Sequence, residues 1–315
     1  MLAPVLAPWL AYKHAQFRKN QAKAQKLNQK IAETFKPLEL PELEFVEITV
    51  LVEEKARSGF STDPGVSYLI KTDLGSVLFD LGFGNTTKTL KANAKNLNAD
   101  IGQVSGLVIS HLHLDHMGGM AASKNRTIPL CQGLEALQGK PCFLPAQAKA
   151  PDYEPRLVEK PEMLAAGLGS TGPLARSLFF MGLCLEQGIL AKIKGKGILL
   201  ITGCGHPTVP LLLKTRAKLA PGPFYALAGG LHFPLTKSRL CKSGWQLQGL
   251  VGTGKPPWQR ITEQDLDQAI VKVKEAGIKR LLLSAHDTCD HGLAMLARKS
   301  QAQSTVLKAG GVYRL

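Results

Sequence analysis

Three imidazoles and one carboxylate, His111, His113, Asp115 and His116, fall within the segment SHLHLDHMGG that spans Ser110–Gly119. Neutral imidazole nitrogens and carboxylate oxygens are donors that zinc, manganese and iron accept, with no thiolate needed among them. Burying so many polar groups merely to build core is costly, so the cluster reads as a metal site. His111 and His113 stand two apart and in an extended turn point to one side, able to grip one cation. Asp115 and His116 lie across the bend, placed for a second. Four groups cannot close two sites, and the chain offers His206, His232 and His286 in addition. His14 reads as solvated, His291 as the start of a helix, and Cys204 as a small buried residue.

Each added histidine follows an apolar strand, where loops carry chemistry on a rigid frame. Residues 107–110 run into the first cluster, 198–202 precede His206, 224–228 precede His232, and 280–285 deliver His286. The run from Leu43 to Val52 is rich in β-branched residues and partly alternates, as a strand with one buried face does. Residues 66–70 and 77–79 flank Asp73, Leu74 and Gly75, which predicts a hairpin. Helices are predicted over 209–219 and from a Thr262–Asp265 capping box to about Ala276, where Gly277 stops the second. Residues 121–177 read as a polar loop region. The 315 residues allow one large domain or two small ones, and 44% hydrophobic content excludes disorder, collagen and coiled coil.

The net charge of +15 favours anionic partners, but it is unevenly spread. Residues 11–36 carry seven basic side chains against Glu33 alone, and Gln187–Thr262 contains eleven basic residues and no acid. The remainder is slightly acidic. The first segment predicts a polar, solvated surface helix over Lys13–Phe35, detachable from the rest. With its apolar leader, Trp9 and Tyr12, residues 1–36 could alternatively rest on an anionic membrane surface. Six cysteines without a CxxC pair suit a reducing compartment and a cytoplasmic location, with a peripheral place on the inner face of the membrane as the alternative. The leader has its positive charges after its apolar run, the reverse of a secretory signal.

The HxHxDH cluster resembles the defining motif of the metallo-β-lactamase superfamily. More narrowly, the segments TGCGHP (202–207), GGLH (229–232) and GLGSTG (167–172), with the Glu186-Gln187 pair, resemble the branch that includes an archaeal dihydropterin aminobenzene phosphate synthase. The resemblance runs from about Leu43 to Leu315. It implies an α/β (α+β) fold, an αββα sandwich over residues 41–315, with residues 1–40 as an N-terminal helical extension. It also implies two divalent metal ions, zinc foremost and manganese or iron as substitutes. His111, His113 and His206 would hold the first, and Asp115, His116 and His286 the second. Asp115 and His232 then become catalytic candidates, and His232, Ser170 and Thr171 substrate contacts. Many superfamily hydrolases place a bridging Asp after the third His, whereas no Asp lies here between His206 and Asp265; His232 falls in that region.

The function expected is that of a hydrolase using a metal-bound hydroxide on an anionic small molecule such as a phosphate ester. The nearest alternative is a pterin-type transferase releasing diphosphate. A nuclease and a membrane-peripheral lipid hydrolase are further readings. Nucleic acid is disfavoured as a partner by the 6% aromatic content and the lack of an RNA-reading module.

Overall fold

The computed structural model describes residues 3–236, 249 and 252–315. In chain order the strands begin with β1 (Glu42–Leu43), β2 (Val46–Val52), β3 (Ser67–Thr72), β4 (Gly75–Phe79), β5 (Leu107–Val108), β6 (Pro141–Leu144) and β7 (Glu154–Leu157). They continue through β8 (Glu162–Met163), β9 (Gly169–Ser170), β10 (Leu174–Leu178), β11 (Gly182–Glu186), β12 (Ile189–Ile193) and β13 (Gly197–Thr202). The last are β14 (Phe224–Gly229), β15 (Arg280–Leu283), β16 (Gln303–Val306) and β17 (Val312–Arg314). The helices among the described residues include α1 (Ala3–Glu33), α2 (Thr89–Asn96), α3 (Met120–Asn125) and α4 (Val209–Leu219). They also include α5 (Glu263–Glu275) and α6 (Asp290–Lys299).

Two large sheets result. One runs β17-β2-β3-β4-β5-β6-β7, and the other β16-β15-β14-β13-β12-β9-β8 with β1 beside β12. Side chains alternate between the faces of a strand, so each strand serves two layers at once. Ile48, Val50, Tyr68, Ile70, Val77 and Phe79 of the first sheet meet Ile189, Ala191, Leu199, Ile201, Ala226 and Ala228 of the second. Their alternate neighbours Leu190, Leu200, Leu227 and Leu281 pack under Leu212 of α4, Ile270 of α5 and Leu293 of α6. On the opposite side Leu51, Leu69, Leu78 and Leu107 pack under Leu90 of α2. The result is helix, sheet, sheet, helix, the layering expected. Helix α5 forms as predicted: Leu266, Ala269, Ile270 and Val273 repeat at helical spacing, and Asp265 Oδ2 accepts from the Thr262 N–H at 2.8 Å.

Two expectations change. Residues 121–177 are not simply loop, because β6 to β9 lie within them and extend both sheets, and β10 begins there and pairs with β11. Most of these strands are short and interrupted by Gly or Pro, so no periodic run betrays them. Helix α1 is not a solvated appendage either. Phe17, Ala24 and Ile31, seven residues apart, make a buried stripe on one face against the β10–β11 hairpin. Asn28 locks the contact, its Nδ2 donating to Ala175 O at 2.8 Å and its Oδ1 accepting from Ala175 N at 2.7 Å. His14, expected in solvent, is half-buried among Phe17, Phe179 and Trp258. Among the described residues no helix is long and apolar enough to cross a membrane.

Truncating a docked core residue has a measurable cost, whereas truncating one on a detachable tail does not. Ile31→Ala is expected to lower unfolding stability by roughly 2–4 kcal/mol in urea titration. An unchanged midpoint would mean that α1 unfolds separately from the sandwich.

Candidate metal centre

Strands β13, β14 and β15 run parallel with Thr202 level with Gly229 and Gly229 level with Leu283. Their C-terminal ends therefore reach one edge of the sheet together, and the turns beyond them carry His206, His232 and His286. Strand β5 of the other sheet ends at the same edge and continues into His111, His113, Asp115 and His116. Ring centroids lie 4.4 Å apart for His111–His113, 5.0 Å for His111–His206, 4.9 Å for His113–His206 and 5.2 Å for His116–His286. Ligand atoms of His111, His113, His206 and Cys184 all fall within 4.8 Å of one another, as do those of Asp115, His116 and His286. Both triads drawn from the sequence thus converge, from both sheets.

Buried carboxylates behind the cluster hold the histidine turns in place. Asp80 accepts from the Ser110 N–H, the Ser110 hydroxyl and the His116 Nδ1–H, each at 2.6 Å. With Nδ1 engaged, His116 turns Nε2 toward the centre, 3.0 Å from Cys204 Sγ. Glu186 accepts from the backbone N–H groups of Gly203, Gly205 and His206 at 3.1, 2.9 and 2.9 Å, fixing the turn that carries His206. Glu53 accepts from the Tyr68 hydroxyl, the Ser284 hydroxyl and the His286 N–H at 3.0, 2.6 and 2.9 Å. Asp80 and Glu53 each stand directly after a strand, yet no motif spacing ties them to the histidines, so sequence reasoning missed them.

Burial, then the neighbouring rings, keeps His111 well below the ordinary histidine value. His206 is likewise well below, and burial lowers His113 to about 4. These three rings are neutral donors near pH 7. His116 and His286 move the other way: against burial, Cys204 and Asp80 hold His116 well above its usual value, and Asp287 and Cys204 do so for His286. Among the described residues, His111 Nε2, His206 Nδ1 and both ring nitrogens of His232 and His286 are buried without a hydrogen bond. Buried polar atoms ordinarily have a partner, so converging, unengaged donors of this chemistry fit a divalent cation.

Several residues take places the sequence did not give them. Ser170 and Thr171, expected as substrate contacts, are fully buried, and their hydroxyls serve the frame. Ser170 donates to Gln187 Oε1 at 2.7 Å, and Thr171 Oγ1 accepts from Gly188 N at 2.8 Å. Cys204 is not merely a packing residue, since its sulfur joins His111 and His116 in one potential ligand group and His286 and Asp287 in another. Asp287 places a carboxylate at the cluster, although no Asp lies between His206 and Asp265 in the sequence. It lies 3.4 Å from His232 and 3.6 Å from His286, and against burial these rings hold its carboxyl well below the usual range. Its signal was adjacency to His286 alone. Asp287 and His232 both hold left-handed backbone, φ 55 and 57, costly for non-glycine residues and commonest at functional sites.

His232 and His206 line a cavity of about 200 Å3 with Arg176 and Lys255. The acid-free segment contributes less charge here than its sequence suggests: Lys192, Lys194 and Lys255 pair with Glu42, Glu44 and Asp265. Lys237, Arg239 and Lys242 lie outside the described residues.

Residues 61–130, which include the histidine cluster, match the family model of the metallo-beta-lactamase superfamily. The 7,8-dihydropterin-6-methyl-4-(beta-D-ribofuranosyl)-aminobenzene-5'-phosphate synthase of Methanocaldococcus jannaschii is 25% identical over 227 residues, 59% of this chain and 77% of the synthase. In fold the chain is similar to Tm1679, a metal-dependent hydrolase of the beta-lactamase superfamily. That match has a TM-score of 0.59 and 19% identity, covering 85% of this chain and 98% of that one. The metallo-beta-lactamase fold protein YhfI of Bacillus subtilis matches with a TM-score of 0.50 and 13% identity, covering 86% and 100%. Family match, two-sheet architecture and converging metal donors lead to one conclusion: this chain has the metallo-beta-lactamase fold, and its residues 61–130 match that superfamily's model.

Proposed function

We propose that this protein is a metal-dependent hydrolase with a binuclear centre, acting on an anionic small molecule such as a phosphate ester. The observation that carries the reading is the meeting of two donor triads in which, among the described residues, His111 Nε2, His206 Nδ1 and both ring nitrogens of His286 are buried without a hydrogen bond. His111, His113 and His206 would hold the first cation and Asp115, His116 and His286 the second, with zinc foremost and manganese or iron as substitutes. Divalent cations held there supply Lewis acidity, lowering the pKa of water and stabilising negative charge on oxygen.

The chain's own groups do the rest. Asp115 Oδ2, 3.2 Å from His286 Nε2, orients that ring and is placed to accept a proton from attacking water. His232, beside Asp287 and facing the cavity, is placed to donate a hydrogen bond to a substrate oxygen or a proton to the leaving group. Val209, Leu231 and Phe233 form apolar wall and limit water at the reacting end. A transferase is the second reading, favoured by the similarity to the Methanocaldococcus jannaschii synthase. Diphosphate release that depends on an added aminobenzene acceptor would select it over hydrolysis.

Freshly purified protein is expected to carry a transition metal, and chelation or His111→Ala to abolish turnover in a screen of phosphate monoesters, diesters and lactones. Metal-free protein together with full turnover by His111→Ala would end this reading. Asp80→Asn, which weakens the grip on His116, is expected to reduce metal affinity about 10–100-fold by competition with a chromogenic chelator.

The pH dependence has a definite sign. A proton and a cation compete for the same imidazole lone pair, so a ring with a lowered pKa loads even in mild acid and one with a raised pKa must first lose its proton. The His111, His113 and His206 triad is therefore expected to load at about pH 5.5, and the His116 and His286 set only at a pH well above the ordinary histidine range. Equilibrium metal titration would read one equivalent at the lower pH and two at about pH 8.5. Equal stoichiometry at both values contradicts the assignment.

A further inference from the structure

The histidine cavity and a second, larger recess share part of their walls. The second is a groove of about 600 Å3 between α1 and α4, and Arg176 on β10 and Gly254 line both. Arg176 is half-buried, and among the described residues no hydrogen bond or ion pair engages its guanidinium. Lys255, which also lines the histidine cavity, is bound to Asp265 at 2.8 and 2.6 Å, and Asp265 also accepts from Thr262. Arg176 feels Asp265 only as a more distant charge. A guanidinium withdrawn from water without a partner is expensive and offers a planar fork suited to phosphate or carboxylate.

The space for that fork is specific. A Cβ on Gly254 would lie 2.1 Å from Arg176 Nε and 2.5 Å from its Cζ, so glycine is the residue that lets the guanidinium lie against the backbone there. Beyond it, among the described residues, the groove is lined by no acidic side chain. Arg18 contributes from α1, and Lys214 and Lys218, one helical turn apart and exposed on α4, from the other side.

We propose that Arg176 binds the anionic group of the substrate, and that the substrate is a small molecule with a phosphate or polyphosphate arm that passes Arg176 from the histidine cavity into the α1–α4 groove. This rests on the reading above only in placing the reacting end at the histidines. Arg176 is then a specificity-determining residue, and α1 forms one wall of the substrate site.

The test uses the full chain stripped of metal by chelator, so its outcome does not depend on hydrolase activity. Inorganic phosphate and inorganic tripolyphosphate are titrated by calorimetry at one fixed salt concentration. Tripolyphosphate is expected to bind more tightly than phosphate, and Arg176→Gln to weaken both by about tenfold or more, the loss of a charge-assisted hydrogen bond. Replacing both Lys214 and Lys218 by Gln is expected to weaken tripolyphosphate and leave phosphate unchanged.

Gly254→Ala keeps every charge but displaces the guanidinium, and is expected to mimic Arg176→Gln. It also serves as the test if Arg176→Gln fails to fold. Lys95→Gln, on the exposed face of α2, controls for diffuse attraction and is expected to change nothing. The proposal is overturned if neither anion binds, if Gly254→Ala and Arg176→Gln bind both as the unaltered chain does, or if Lys95→Gln weakens binding equally. Loss of the hydrolase reading would instead show in the metal content and in His111→Ala.

Discussion

Everything at the histidine edge depends on carboxylates buried behind it. A carboxylate taken out of water costs several kcal/mol unless donors replace its hydration. Glu53 and Glu186 carry that cost visibly, since burial raises both above the usual carboxylate range. Each is surrounded by hydroxyl or backbone N–H donors, and those donors belong to the turns that carry His286 and His206. The same hydrogen bonds that make burial tolerable therefore set the position of the rings. Asp80 does this for His116 and, through Ser110, for His111.

Gln187 extends the arrangement across the sandwich. Its Nε2 donates to Ile109 O and Phe143 O of the first sheet at 2.8 and 3.1 Å, while adjacent Glu186 holds a turn of the second. The acid-amide pair is thus a strut between the two sheets at the edge where their histidines meet. Ser170 completes it by donating to Gln187 Oε1, which explains why this hydroxyl faces inward rather than toward a ligand.

Much of this was legible in the sequence. The strand-then-histidine pattern marked the converging histidines because each apolar run is short and β-branched or leucine-rich, and a histidine follows each within a few residues. The capping box of α5 was legible because its chemistry is local. Asp80 and Glu53 were not, because their partners are distant in sequence and an acid after a strand has many ordinary uses, and Asp287 offered only its adjacency to His286. The docking of α1 was hidden for a different reason. Phe17, Ala24 and Ile31 are sparse among lysines and glutamines, so the run reads as polar although its narrow stripe is buried. The acid-free segment misled in the opposite sense, since several of its lysines face acids from elsewhere in the chain.

The bond from Ser284 to Glu53 joins residues 231 positions apart. Loop closure over such a span precedes any reward from the contact, so assembly of this edge belongs to a late stage of folding. Until the sheets dock, Glu53 remains hydrated and the turn holding His286 has no anchor. The centre is therefore a reporter of sheet docking: its ligand geometry comes into being together with the closed sandwich and cannot persist in either half alone.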